Sequence, residues 1–139
     1  MPVRDVVILS AARTPIGRYG GSFKDLHPAE LGAVAARAAM ARAGVSAGDV
    51  DEVVIGHGRQ AGSGPNPARQ VGHRAGIPPG APAQTVNKAC ASSLQAIASG
   101  AQSIMLGESD TCCTSWSGAA QNTAWRRCAS AAAWGWRWL

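Results

Sequence analysis

Short runs with strand character alternate along the first 110 residues with stretches whose small and apolar positions recur every three or four residues. Val6–Ala12 is apolar almost throughout and predicts a strand buried on both faces. Arg13-Thr14-Pro15, with Gly17, Gly20 and Gly21, reads as a loop. His27-Pro28-Ala29-Glu30 opens a helix, because Pro fits a first turn and Glu30 complements the helix dipole. Leu31, Val34, Ala35 and Ala38 form its predicted apolar stripe, and Gly44 ends it. Val50–Ile55 predicts a second strand. Asn66 caps a short helix that begins Pro67-Ala68-Arg69-Gln70-Val71 and ends near Gly76. After the Pro78-Pro79-Gly80 turn, Ala83–Val86 predicts a third strand. Cys90–Leu106 then reads as a long helix, with Leu94, Ile97, Ala101 and Ile104 on one face and Gly107 as its stop. Strand, helix, strand, helix, strand, helix predicts an α/β fold in layers, with right-handed crossovers.

This order puts Cys90 at a strand-to-helix junction, at or next to a helix N-terminus. Unpaired backbone N–H groups and the positive end of the helix dipole favour a thiolate there. Lys88 adds a positive charge two residues earlier. A thiolate beside free N–H donors is able to attack an acyl carbonyl while the donors hold the oxyanion. The residues alone leave a second reading open, because a lone Cys in an Ala-rich segment is often a small buried hydrophobe.

The run Val86-Asn87-Lys88-Ala89-Cys90-Ala91-Ser92-Ser93-Leu94-Gln95-Ala96-Ile97 resembles the acyl-enzyme signature of the thiolase family, and Ile104 falls on its later aliphatic position. Val7-Ile8-Leu9-Ser10-Ala11-Ala12-Arg13-Thr14-Pro15-Ile16-Gly17 is similar to the first strand and turn of that family. Gly56-His57-Gly58-Arg59-Gln60-Ala61-Gly62 and Asn66-Pro67-Ala68-Arg69-Gln70 are similar to its second strand end and following helix. The match runs from about Val6 to Asp110 in one register, and its motifs resemble the acetyl-CoA acetyltransferase (acetoacetyl-CoA thiolase) subgroup.

The resemblance implies the first half of the thiolase fold, incomplete, with the helix after the nucleophile buried between two sheets. It implies a partial thiolase N-terminal domain at 1–110. It also implies Cys-mediated acyl transfer between acyl-CoA and CoA or acetyl-CoA, forming or cleaving acetoacetyl-CoA. Cys90 would be the acyl-thioester nucleophile, with its own backbone N–H beside it. Coenzyme A thioesters would be substrates, with no bound cofactor and no metal; the cofactor-binding residues are not assigned. A second Cys, an activating His and an Asn that holds a water belong to the family's C-terminal half, so this chain alone is expected to be inactive. The family's homo-oligomer, dimer or tetramer, is doubtful for such a chain. A non-catalytic fragment or pseudogene product is the alternative function. A ketosynthase-like condensing enzyme is the weaker alternative, since that group lacks the Asn66-Pro67-Ala68-Arg69-Gln70 context.

After Asp110 the chain changes character. All five Trp lie beyond it (Trp116, Trp125, Trp134, Trp136 and Trp138), as do Cys112, Cys113 and Cys128. That segment has three Arg but no Lys and no acid. The family would place a Val-Val-x-Gly-Gly-x-Glu strand and turn after Gly107-Glu108-Ser109-Asp110, where this chain has Thr111-Cys112-Cys113-Thr114-Ser115-Trp116-Ser117. Suitably chosen GC-rich codons for Ser115 to Trp125, read one base earlier, can spell a matching Val-Val-Gly-Gly segment, which points to a shift of reading frame. Residues 111–139 are therefore expected to be a non-homologous tail, disordered or out of frame, that takes no part in the domain.

Charge and cysteines narrow the alternatives. The net charge of +5 comes from dispersed Arg without a basic run or interleaved aromatics, so nucleic-acid binding is not expected. No apolar run reaches membrane-spanning length and no signal peptide is evident, so the expected location is the cytoplasm without membrane attachment. Cys112-Cys113 is adjacent rather than C-x₂-C, so zinc-ligand spacing is absent. Gly56-His57-Gly58-Arg59-Gln60-Ala61 fits a dinucleotide fingerprint, but Gly62-Ser63-Gly64-Pro65 breaks the helix that motif needs. His27 reads as a helix-start residue, and His57 and His73 as structural or surface groups.

Overall fold

The computed structural model describes residues 4–60, 62–116 and 121–127. Strand β1 spans Val6–Arg13, helix α1 Pro28–Ala43, strand β2 Glu52–Gly56 and helix α2 Pro67–Ala75. Strand β3 spans Ala83–Val86, helix α3 Ser92–Leu106, strand β4 Thr111–Trp116 and strand β5 Gln121–Arg127. One sheet holds all five strands in the order β1-β5-β4-β2-β3. The pairs β2–β3 and β2–β4 are parallel, and β5 runs antiparallel to both β4 and β1.

Helices cover both faces. Val53 and Ile55 of β2 pack with Ala36 and Met40 of α1 and Val71 of α2. Val54 points the other way and packs with Ala96 and Ile104 of α3 and Cys112 of β4. The strand period of two thus sends alternate residues of β2 into two cores. The predicted α/β layering is present, and so are the capping signals. His27 Nδ1 accepts from the Ala29 N–H at 3.2 Å, and Asn66 Oδ1 accepts from the Arg69 N–H at 3.2 Å. Gly44, Gly76 and Gly107 terminate the three helices in the left-handed region.

Four expectations need correction. The first strand is not buried on both faces: among the described residues β1 lies at the sheet edge with β5 as its one neighbour, and Ile8 is 58% exposed. A register shift between Ile8 and Ser10 also breaks its alternation. On α1 Ala35 of the expected stripe is buried, but so are Ala29, Ala33, Ala36, Ala39 and Met40 outside it, whereas Val34 is half exposed. The helix turns its smallest side chains inward because they allow it close to the sheet and α2. The same logic governs α3, which starts at Ser92 rather than Cys90 and buries Ser92, Ala96, Gly100 and Ile104. Leu94, expected on the buried face, is 70% exposed.

The fourth correction concerns the segment after Asp110. Strand β4 lies between β2 and β5 in the middle of the sheet, with Thr111, Cys112, Cys113 and Thr114 all buried. Cys behaves as a small hydrophobe and Thr is β-branched, so this polar-looking run suits a central strand. A Cβ on Gly100 would stand 2.8 Å from Cys112 Sγ and Thr114 Cγ2, so α3 rests directly on β4. The boundary expected at 110 is therefore misplaced for 111–116 and 121–127. Residues 117–120 and 128–139, which carry the rest of the expected tail with Trp134, Trp136, Trp138 and Cys128, lie outside the described residues.

Candidate active site

Cys90 occupies the connection from β3 to α3, two residues before the first helical residue. It is exposed. The connection is tightly specified. Asn87 Oδ1 accepts from the Ala89 N–H at 3.1 Å, while Asn87 Nδ2 donates to the Gly58 carbonyl at 3.3 Å. Backbone bonds Ala91 N–H to Lys88 O at 3.0 Å and Ser92 N–H to Ala89 O at 3.2 Å fold two overlapping turns. Between them Ala89 sits at φ +47°, in the left-handed region. For an L-residue with a Cβ that conformation costs about 1–2 kcal/mol and persists where its surroundings impose it.

The helix start contributes its dipole. Ala91 at the N-cap has no side-chain cap, so no residue of the cap competes for the first-turn N–H groups. Lys88 Nζ donates to Gln95 Oε1 at 3.0 Å, which anchors its ammonium against the first turns of α3. Beneath the junction, β2 ends at Gly56, where any Cβ would overlap the Ser92 carbonyl and stand 2.6 Å from the Ser93 nitrogen. Only a glycine there lets α3 begin this close to the sheet.

The other sulfur and imidazole groups stand apart from this junction. Cys112 and Cys113 are buried in β4; burial pushes the Cys113 thiol up to about 12, and it raises Cys112 too, with Glu52 adding to the effect. His57 follows Gly56 and is only 2% exposed. Its backbone N–H donates to the Val86 carbonyl at 2.9 Å, but its Nδ1 has no partner among the described residues. Burial lowers its pKa below 6.5; the Arg59 backbone opposes the shift and His27 reinforces it. Among the described residues no hydrogen bond joins His57, His27 or His73 to Cys90, and no group of three His, Cys, Asp or Glu side chains could hold a metal. Gly56 is legible in the sequence as a strand end and as part of a dinucleotide-like fingerprint, but its part in seating α3 is not. A glycine closing an apolar strand is the signal that marks it.

The family model for the thiolase N-terminal domain matches residues 6–117. The chain belongs to the thiolase family. The match includes β4, in keeping with its place in the sheet. Among thiolase relatives, the acetyl-CoA acetyltransferase of Cupriavidus necator is 50% identical over 106 residues, which are 76% of this chain and 27% of that protein. The cytosolic acetyl-CoA acetyltransferase of Gibberella zeae is 53% identical over 105 residues, 76% of this chain and 26% of that protein. The solved structure of the Bacillus anthracis acetyl-CoA acetyltransferase superposes with a TM-score of 0.79 at 37% identity, covering 83% of this chain and 29% of that one. That of the Syntrophomonas wolfei enzyme gives 0.77 at 38% identity, covering 81% and 28%. The chain thus spans just over a quarter of the length of these thiolases.

Proposed function

We propose that this chain carries the nucleophile of a thiolase-type acyl transfer, with Cys90 accepting the acyl group from a coenzyme A thioester. The exposed thiol at the tightly folded β3–α3 junction supports the reading most directly. The Cys90 thiolate attacks the thioester carbonyl, the carbonyl oxygen takes the negative charge, and the Cys90 N–H is the donor beside it. Collapse breaks the bond to coenzyme A sulfur, which leaves as the thiol, and the acyl group stays on Cys90. With a 3-ketoacyl thioester, the thiolate attacks the 3-keto carbonyl instead; the carbon–carbon bond to C2 breaks, C2 is protonated, and acetyl-CoA leaves with the shortened acyl group on Cys90. The reaction needs no bound cofactor or metal. Expected partners are acyl-CoA and CoA, in the cytoplasm; a homo-oligomer is the family's expectation for the complete protein. Among the described residues no helix is long and apolar enough to cross a membrane.

Turnover by this chain alone is not part of the proposal. No described residue supplies the second Cys, and no His stands in hydrogen-bond contact with Cys90. Removing cooperating groups from such a site costs orders of magnitude in rate. The experiment is incubation of the full chain with acetyl-CoA, read by intact mass and peptide mapping, beside a thiolysis assay. One acetyl group on Cys90, absent from Cys90→Ala, is the expected result. No acetyl group on Cys90 in a folded chain would overturn the reading. The second reading, a non-catalytic fragment, draws on the change of composition after Asp110, where all five Trp and no acid occur. The DNA sequence around the Asp110 codon tests the reading-frame explanation, because an in-frame gene with no alternative Val-Val-Gly-Gly reading would exclude it.

A further inference from the structure

The hydroxyl of Ser92 is wholly buried, yet it is bonded to nothing in its own helix beyond the start. It accepts the Lys88 N–H at 2.9 Å and donates to the Ala89 carbonyl at 2.6 Å. The two groups bracket the Lys88-Ala89 pair, and Ala89 is the one non-glycine residue with a left-handed φ among the described residues. Ser92 also donates its backbone N–H to the same Ala89 carbonyl. Ser92 therefore holds the Asn87–Lys88 and Ala89–Cys90 peptides, while Asn87 Oδ1 holds the Lys88–Ala89 peptide between them, and the residue that follows Ala89 is Cys90. We infer that Ser92 is a positioning residue for Cys90, holding the Lys88–Ala89 turn in its left-handed form so that the thiol and its own N–H stay presented to an incoming carbonyl. This inference rests on the proposed role of Cys90, but the geometry it asserts does not.

The alternatives for this hydroxyl fit less well. A helix-capping hydroxyl sits at the N-cap and accepts from N–H groups further along the helix. Ser92 is the first helical residue and accepts from a residue four positions before it. A serine bonding back within a helix interior would reach a helical carbonyl one turn earlier; its acceptor here, Ala89, lies outside the helix.

The test uses the full chain and three readings on Ser92→Ala: the melting midpoint, amide hydrogen exchange at Lys88, and the rate at which iodoacetamide modifies Cys90, mapped by peptide. The expected result is a folded protein whose Lys88 amide exchanges at least roughly tenfold faster, with a Cys90 alkylation rate changed about threefold or more. Unchanged exchange and unchanged alkylation in a folded Ser92→Ala protein would overturn the inference. If Ser92→Ala does not fold, Ser92→Cys keeps the volume with a weaker donor and acceptor, and the same two readings decide. Acetylation of Cys90 is measured in parallel. Loss of acetylation in the wild type counts against the acyl-acceptor reading, while the exchange data still judge Ser92.

Discussion

Gly56 and Ser92 meet backbone to backbone: a Cβ on Gly56 would overlap the carbonyl of Ser92 and stand 2.6 Å from the next nitrogen. The end of β2 and the start of α3 are thus separated by no side chain at all. Gly56→Ala must push the start of α3 outward, with the Cys90 turn attached to it. Overpacking of this kind costs about 1–3 kcal/mol. Urea denaturation should show that loss, and Cys90 alkylation should change with it. A Gly56→Ala protein of wild-type stability would show that the helix start tolerates displacement.

Thiol reactivity should divide the cysteines by place in the fold. Cys90 is exposed, and Cys112 and Cys113 lie in the central strand β4 with thiols that burial holds protonated. Iodoacetamide under native conditions should modify Cys90 roughly a hundredfold faster than either, because β4 must open before reagent enters. Peptide mapping over time checks this. Comparable rates for Cys90 and Cys113 would place β4 outside the stable sheet.

Removing residues 111–139 should abolish cooperative folding. The deletion takes β4 and β5, leaving β2 with one paired edge and β1 with no neighbour. It also strips the floor from under Gly100 and Ile104 of α3. Circular dichroism during urea titration is the measurement. A chain ending at Asp110 that unfolds cooperatively with wild-type stability would restore the boundary that the composition suggests.

His57 sets a pH dependence with a definite sign. Its folded pKa lies below 6.5 because burial disfavours the imidazolium. Between the folded value and 6.5 the unfolded chain binds a proton that the folded chain does not. Stability is complete above 6.5 and is lost as pH falls through the folded pKa. His57→Asn should flatten this part of the profile, read as unfolding free energy at a series of pH values on either side of 6.5. An unchanged slope in the variant would assign the acid limb to other groups.

The parts of the fold that sequence made legible were those set by local chemistry. Asn66 before Pro67, His27 before Pro28, and the three helix-ending glycines act on neighbours a few residues away, and each is where the pattern put it. What misled was the assumption that the largest apolar residues face the core. Leu94 and Val34 point outward because Ala and Gly faces let α1 and α3 press closer to the sheet. Strand β4 was missed because Thr and Cys look polar or reactive, although a buried strand accepts both. The junction at Cys90 was legible as a thiol at a helix start. The left-handed Ala89 was not, because no glycine stands there to mark it.

The openness of the β3–α3 junction bears on the lifetime of any product formed there. An acyl thioester on Cys90 would stand in bulk solvent, with water at far higher concentration than any acceptor thiol. Enzymes that pass such groups onward keep water away until transfer is complete. Here Cys90 is exposed among the described residues, so hydrolysis would compete with transfer in any acylated form. A cover over this junction would be what turns an acylated cysteine into an acyl donor.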